Sequence, residues 1–167
     1  EQFHSVTTLA QDTRVGHRST WYYGTGEFLG NSANAGGATY RGDGIFKSTD
    51  GGKSWSSLTI TTSKIQAYDS LYDYVNRIQV DPTNGDIYAG EFRFGKIQGE
   101  GQFTFTNGNK YVGSVSENTM HGKGKMTFAT GGHYIGYFAN NQYHGEGLLA
   151  TPEKICQGKW NCGIFMG

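Results

Sequence analysis

The N-terminal half of the chain contains carboxylates of the type that hydrolyse glycosidic bonds, a reaction that needs two of them facing across a cleft. Four are available: Asp12, Glu27, Asp43 and Asp50. Asp50 lies in a Thr-Asp-Gly-Gly turn, where a carboxylate accepts hydrogen bonds from turn amides. The other three have no spacing that defines a facing pair. We therefore predict no catalytic residue among them.

Histidine and cysteine are the residues that most often bind transition metals, but their spacing here fits no zinc site. The histidines are His4, His17, His121, His133 and His144. His121 and His144 occupy the same position of an internal repeat, which favours a structural use. Cys156 and Cys162 are either a disulfide in an oxidising compartment or two free thiols. We predict no metal ion and no cofactor.

One segment favours ligand binding, because a loop that runs from residue 26 to residue 44 is long for a connection within one sheet. Aromatic and polar residues in or beside it could contact a glycan: Trp21, Tyr23, Asn31, Tyr40, Arg41 and Asp43. The alternative is that Trp21 and Tyr23 face the core of the sheet while the loop covers an edge. The sequence leaves both interpretations open.

The composition indicates the elements that must position these residues. The 167 residues include 27 glycines and 2 prolines, with 14% aromatic and 17% charged residues, which favours many short strands and tight turns. We predict an all-β fold. The net charge is zero and no Lys/Arg run occurs, so nucleic acid is not an expected partner. No window approaches the ~18 apolar residues of a membrane span.

The C-terminal half contains an internal repeat with a spacing of 23 residues. Tyr88, Tyr111 and Tyr134 come into register when the repeats are aligned. Glycines at matching positions follow them: Gly90, Gly113 and Gly136, then the pairs Gly99/Gly101, Gly122/Gly124 and Gly145/Gly147. A fourth, shortened copy has Cys156 in place of the tyrosine, with Gly158 and Trp160 after it, and it stops at Gly167 in mid-repeat.

Each repeat is predicted to form a β-hairpin. Phe103 and Phe105 alternate on one strand, Tyr111 and Val115 on the next, and the segment "TNGN" at 106–109 suits the turn. The glycine two residues after each tyrosine has no side chain, and we expect a ring from an adjacent hairpin to lie against its backbone. The paired glycines are expected to adopt positive φ where the chain crosses to the next hairpin. A single hairpin is marginal in water, so the copies must stack into a ribbon.

This pattern resembles the MORN repeat, a Tyr-x-Gly-x-aromatic motif followed by Gly-x-Gly. The resemblance implies a non-enzymatic scaffold of extended β-sheet that often dimerises and is in some cases associated with membranes. Membrane association is not favoured for this chain, because its lysines are separated along the ribbon and interspersed with glutamates. Lys96, Lys123 and Lys154, for example, are interspersed with Glu100, Glu117 and Glu146.

A second motif occupies the N-terminal half. Ser48, Asp50, Gly52 and Trp55 match the Ser-x-Asp-x-Gly-x-x-Trp pattern of the Asp-box, a structural turn. Together with the strands around it, this motif resembles the BNR repeats of secreted β-propellers, a superfamily that includes sialidases. A sialidase needs an arginine cluster, a tyrosine nucleophile with its glutamate and an acid/base aspartate, supplied by several blades. One blade cannot assemble them.

The segment "VDPTNGDIYAG" at 80–90 fits both repeat types, and the propeller pattern stops near residue 90. We predict a hybrid with a partial BNR-type segment over 1–83 and MORN repeats over 84–167, three of them full and the fourth truncated. The expected fold is a blade-like antiparallel sheet with an Asp-box hairpin that continues into a MORN-type ribbon. Tyr88, Tyr111 and Tyr134 are expected in a row on one face.

The function predicted from these patterns is a non-enzymatic β-repeat scaffold or protein-interaction module. Homo-oligomers or filaments are expected, since both ends of such an array would need a cover. The alternative is a carbohydrate-binding or glycosidase fragment of a secreted propeller, with a glycan as partner. The N-terminal half favours secretion and the C-terminal half favours the cytoplasm, so an extracellular location is only slightly preferred.

Overall fold

The computed structural model describes residues 6–25, 44–58 and 77–167. All regular elements within these ranges are β-strands, and every strand pairing observed there is antiparallel. The predicted all-β fold is confirmed. Over the same ranges there is no helix that is long and apolar enough to cross a membrane. The chain divides into two compact units, Glu1–Ala89 and Gly90–Gly167. The boundary predicted between residues 83 and 84 stays a prediction about the repeats.

The first unit contains an antiparallel sheet of four strands in chain order. They are β1 (Val6–Gln11), β2 (Trp21–Thr25), β3 (Ile45–Ser48) and β4 (Ser56–Ser57). Two further strands follow, β5 (Ile78–Val80) and β6 (Ile87–Arg93), which pair with each other. Tyr22 and Ile45 pack with Ile78, Ile87 and Ala89 in a buried cluster. This cluster is the core of the first unit.

The second unit is a run of hairpins. Its strands are β7 (Lys96–Thr104), β8 (Lys110–Ser116), β9 (Thr119–Thr127), β10 (His133–Ala139), β11 (Gln142–Ala150), β12 (Ile155–Asn161) and β13 (Ile164–Phe165). Each pairs with its neighbours in the chain, so the strands of this unit run in the order β13 to β7 without a crossover. The turn at 106–109 joins β7 to β8, and the amide of Gly108 donates to the carbonyl of Phe105 (2.9 Å).

Tight two-residue turns link β6 to β7, β8 to β9, β10 to β11 and β12 to β13. In each one both central residues have positive φ, which matches a type I′ turn and the twist of the flanking strands. The turns are Phe94–Gly95, Glu117–Asn118, Asn140–Asn141 and Cys162–Gly163. Four turns of one type at corresponding repeat positions keep the strands in the same register from hairpin to hairpin.

A row of glycines crosses the ribbon in register. Gly101, Gly113, Gly124, Gly136, Gly147 and Gly158 are consecutive cross-strand partners from β7 to β12. The first glycine of each Gly-x-Gly pair does have positive φ, but the predicted reason was wrong. Gly122 (φ 86°) and Gly145 (φ 61°) lie inside β9 and β11. The pairing register shifts beside them, so their φ values belong to β-bulges and not to connections between hairpins.

Candidate functional site

Two of the repeat tyrosines, Tyr111 and Tyr134, fold along their own strands and cover the row of glycines. The hydroxyl of Tyr111 donates to the backbone carbonyl of Ser114 (2.7 Å), and that of Tyr134 donates to the carbonyl of Tyr137 (3.0 Å). Both tyrosines are fully buried. The side chain therefore crosses the glycine two residues further on, and its hydroxyl closes a short loop with the carbonyl three residues on.

The glycines are required because no side chain fits beneath these rings. A Cβ atom at Gly136 would lie 2.6 Å from the Cα of Gly147 and 2.6 Å from the hydroxyl of Tyr134. At Gly124 it would overlap the ring of Tyr111. The expectation of a ring from an adjacent hairpin was wrong, since the ring comes from the tyrosine of the same repeat. That tyrosine is only two residues away along the strand and reaches the glycine without crossing a turn.

An aromatic cluster fills this face of the ribbon, which we call the aromatic face. The rings of Tyr134 and Tyr143 stack at 3.9 Å, and Phe138 lies edge-on to Tyr111 (4.9 Å) and Tyr134 (5.2 Å). Burial raises the pKa of Tyr134 to about 12, because the phenolate would lose its hydration. The rings pack against one another and fill this face of the ribbon.

The opposite side, the open face, has a groove of about 480 Å³. His121 and Tyr137 line it together with Ala139, His144 and Glu146. The side chain of Tyr137 is 42% exposed, and Nζ of Lys123 lies 5.5 Å from the centre of its ring. The groove forms where β11 bulges: Gly136 pairs with Gly147, but Tyr137 pairs with His144. The extra residues of the bulge place Gly145 and Glu146 at its rim.

The periodic geometry agrees with a comparison against known families. Three consecutive segments, 88–110, 111–133 and 134–152, match the MORN repeat. Residues 88–152 are MORN repeats. Each matched segment begins with the tyrosine that starts the motif: Tyr88, Tyr111 and Tyr134. A search of curated proteins finds no match to the chain. MORN repeats suggest a protein-interaction or membrane-binding module and are generally not enzymes.

The MORN motif residues fall into two groups in the structure. The row of glycines described above contains the second glycine of each Gly-x-Gly pair. It also contains the glycine that lies two residues after Tyr111 and after Tyr134. The first glycine forms the bulge. Trp160, beyond the matched repeats, lies against the rings of Tyr134 and Tyr143 (both 5.5 Å), and its indole N–H donates to the carbonyl of Gly147 (3.3 Å). Tyr88 and Gly90 lie on β6, and the position of Tyr88 in a common row stays a prediction.

The Asp50 turn of the first unit, which joins β3 to β4, is held by its own polar side chains. The carboxylate of Asp50 accepts from the amides of Lys53 (3.0 Å) and Ser54 (2.9 Å) and from the hydroxyl of Ser48 (2.8 Å). The Ser48 hydroxyl in turn accepts from the amide of Gly52 (2.9 Å). The Ser54 hydroxyl also donates to the Asp50 carboxylate. The hydrogen bonds that Asp50 accepts, and most of all the one from the Ser54 hydroxyl, lower its pKa well below the usual range.

The predicted ligand loop is described only in part. Asn31, Tyr40, Arg41 and Asp43 lie outside the described residues. Trp21 and Tyr23 are on β2, where both are half-buried. The ring of Tyr23 stacks on Phe46 (4.8 Å) and meets the edge of Trp55 (4.7 Å). The ring of Tyr23 is thus engaged by residues of its own sheet, whereas Tyr22, the residue before it on β2, is the one that packs in the buried cluster. Ligand binding by this loop stays a prediction.

Sequence reasoning did not find the groove around Tyr137. One signal was present: the third residue after the repeat tyrosine is Glu91, Ser114 and then Tyr137, so an aromatic residue replaces a polar one. The bulge that opens the groove has no such signal. Within the part of the chain that the structure describes, no three histidine, cysteine, aspartate or glutamate residues come together as a metal-binding group.

Proposed function

We propose that this protein is a non-enzymatic β-repeat scaffold that interacts with proteins and associates with further copies of itself. The three MORN repeats support a scaffold role, since their aromatic face is filled by side chains of the ribbon itself. A scaffold then has two kinds of surface for partners, namely the edge of its sheet and its open face.

The edge strand β13 carries the observation on which self-association rests. β13 pairs with β12 on one side, and its other side has no strand among the described residues. Large apolar side chains on it and next to it in the chain are exposed: Ile164, Phe165 and Met166. An edge with free backbone groups and apolar side chains is a template for pairing with another strand. The zero net charge adds no repulsion between copies.

Sedimentation velocity or light scattering on the 167-residue chain tests self-association at micromolar concentration. We expect a mass above the 18.3 kDa of one chain. The double variant Ile164→Lys/Met166→Lys should shift the mass towards one chain, because charges block the edge. Val15→Lys is the matched control, since Val15 is also apolar and exposed but lies in the first unit. A wild-type protein that stays at 18.3 kDa would contradict the proposal.

We also propose that the first unit is a BNR-type blade and that the Asp50 turn is an Asp-box. Support comes from the bonds of Ser48 and Asp50 to turn amides and from the indole N–H of Trp55, which donates to the carbonyl of Gly52 (3.0 Å). Asp50→Ala should lower the free energy of unfolding by about 1–3 kcal/mol. Lys53→Ala in the same turn is the control, and equal urea midpoints for the two variants would argue against an Asp-box.

A further inference from the structure

We infer that the open-face groove binds an extended acidic segment of a partner protein, which places an aromatic or aliphatic side chain on Tyr137 and Ile135 and its carboxylates on Lys123 and Lys125. This inference rests on the proposed scaffold function, because it assigns a partner chemistry to one surface of the ribbon. The MORN match does not identify this surface or its ligand.

The apolar part of the surface lies on β10. Ile135 and Tyr137 are two residues apart on the same face of the strand and are 45% and 42% exposed. The groove next to Tyr137 contains the space for an incoming side chain. Leu148 on β11 is the cross-strand partner of Ile135 and extends the apolar surface to that strand. An apolar anchor is therefore expected above β10.

The basic part lies on the neighbouring strand β9. Lys123 is the cross-strand partner of Tyr137, and Lys125 is the partner of Ile135. Both lysines are exposed, and neither forms an ion pair with another residue of the continuously described range 77–167. The contact of Lys123 with the ring of Tyr137 holds its ammonium group at the groove. Within residues 77–167, two lysines that form no ion pair therefore lie beside the apolar surface of Ile135 and Tyr137.

The spacing and the charge of the neighbouring strands indicate how the partner lies. Lys123 and Lys125 are two residues apart on a strand, a distance of about 7 Å, which equals the spacing of alternate side chains in an extended chain. Carboxylates at alternate positions can thus meet both lysines. Glu146 lies on β11, beyond β10, and would repel them. The acidic side chains must therefore point towards β9, with the apolar anchor towards β10.

The other repeats do not reproduce this surface. The position of Lys123 is occupied by Glu100 and by Glu146 in the neighbouring copies, and the position of Tyr137 is occupied by Ser114. The Ser114 hydroxyl donates to the carboxylate of Glu100 (2.5 Å), so the equivalent place one repeat earlier is acidic and already hydrogen-bonded. One acidic segment per chain is expected.

Fluorescence anisotropy with the 167-residue chain tests the inference. The probe is a fluorescein-labelled heptapeptide with a central phenylalanine and glutamates on both sides. We expect saturable binding with a dissociation constant below about 1 mM. A peptide with lysines in place of the glutamates, and one with alanine in place of the phenylalanine, should each bind at least about fivefold more weakly. Equal binding of all three peptides would overturn the inference.

Variants of the protein locate the site. Tyr137→Ala should weaken binding of the acidic probe about tenfold, and Lys123→Glu at least about fivefold. Lys53→Glu is the matched control, since this lysine is exposed in the first unit and should leave binding unchanged. Lys125→Gln, a mild change at an exposed position, provides a second test if Tyr137→Ala does not fold. Binding that is insensitive to both Lys123→Glu and Lys125→Gln would refute the site.

Two further measurements distinguish peptide binding in the groove from membrane binding and from self-association through the edge strand. Vesicles of phosphatidylserine and phosphatidylcholine that bind the protein through Lys123, while the peptide does not bind, would assign the surface to a membrane and overturn the inference. The Ile164→Lys/Met166→Lys variant should bind the acidic probe as wild type does. Loss of self-association with retained peptide binding, or the reverse, distinguishes failure of the edge proposal from failure of the groove proposal.

Discussion

At the scale of single residues, the packing of the ribbon depends on a large tyrosine ring and on a glycine that has no side chain. The rings of Tyr111 and Tyr134 each lie over a glycine of the neighbouring strand, and each hydroxyl donates to a carbonyl of its own strand. A methyl group on the glycine would not fit beneath the ring, because the atoms closest to it belong to the buried tyrosine or to backbone that cannot move independently. The glycine is therefore as necessary as the tyrosine.

Replacing Gly136 by valine should lower the free energy of unfolding by about 1–3 kcal/mol, because the new Cβ would clash with Gly147 and Tyr134. Urea unfolding followed by tryptophan fluorescence measures the change. Lys125→Val is the matched control, since it adds the same side chain on the open face of the adjacent strand. A Gly136→Val protein with the wild-type midpoint would contradict the packing.

Asp12 is a buried charged residue of the first unit. Its carboxylate accepts from the guanidinium of Arg14 (2.9 and 2.7 Å), which also donates to the carbonyl of Asn84 (2.7 Å). The hydrogen bonds from Arg14 lower the pKa of Asp12. The unfolded state then binds more protons than the folded state in acid, so the stability from this pair exists above the unfolded pKa of about 4 and is lost below it.

We expect the urea midpoint of the wild type to fall as the pH is lowered through about 4 and below. In Asp12→Asn the midpoint should be lower at pH 7, and its fall in acid should be smaller, because this titration is removed. Unfolding curves between pH 7 and pH 2 provide the measurement. Parallel pH profiles for the two proteins would show that Asp12 does not contribute to acid unfolding.

At the scale of elements, the two-residue turns set the register of the hairpins. Type I′ turns require positive φ at both central positions, where asparagine and glycine are favoured and other side chains are strained. Asn140–Asn141 meets this requirement. Phe94 does not: it adopts a φ of 51°, and its side chain is fully exposed, so packing does not compensate for the strain. The turn between β6 and β7 is therefore the weakest match of sequence to conformation.

Phe94→Asn should raise the free energy of unfolding by about 0.5–1 kcal/mol, because the turn becomes Asn-Gly. Phe94→Val is the matched comparison, since a β-branched residue at positive φ should lower stability instead. Thermal unfolding followed by circular dichroism provides the measurement. The same direction of change in both variants would show that removal of the exposed ring, and not turn conformation, governs the effect.

At the scale of the whole molecule, each described strand of the ribbon pairs only with strands that are adjacent in the chain. The free energy of the ribbon is therefore expected to be close to a sum over hairpins and their interfaces. Electrostatics adds no global term, because 14 basic and 14 acidic residues cancel. Solubility must then come from the mixture of charges on the surface and not from net repulsion.

The protein should accordingly be least soluble near its isoelectric point of about 7.2. Turbidity after concentration at a series of pH values tests this, with solubility expected to rise on both sides of neutrality. Lys53→Glu makes the net charge more negative by two and should move the minimum to lower pH. A minimum that does not move would show that apolar edge contacts, and not net charge, limit solubility.

Part of this description was predictable from residue types alone. The all-β class, the hairpin at 106–109 and the three repeats follow from alternating side chains, turn residues and a fixed period, all of which act over a few residues. The role of the paired glycines was not predictable, because a glycine with positive φ suits a connection and a bulge equally well. Only the pairing of β10 with β11 distinguishes the two.

The sequence by itself thus determined which residues alternate, where the chain turns and how often the unit recurs. The tertiary structure decided which tyrosine covers which glycine and that Tyr137 lies beside Lys123 and His144 on the open face. The physical reason is the register of neighbouring strands. A bulge at Gly145 changes the partners of every residue beyond it, and neither the turn residues nor the alternation of side chains specifies that bulge.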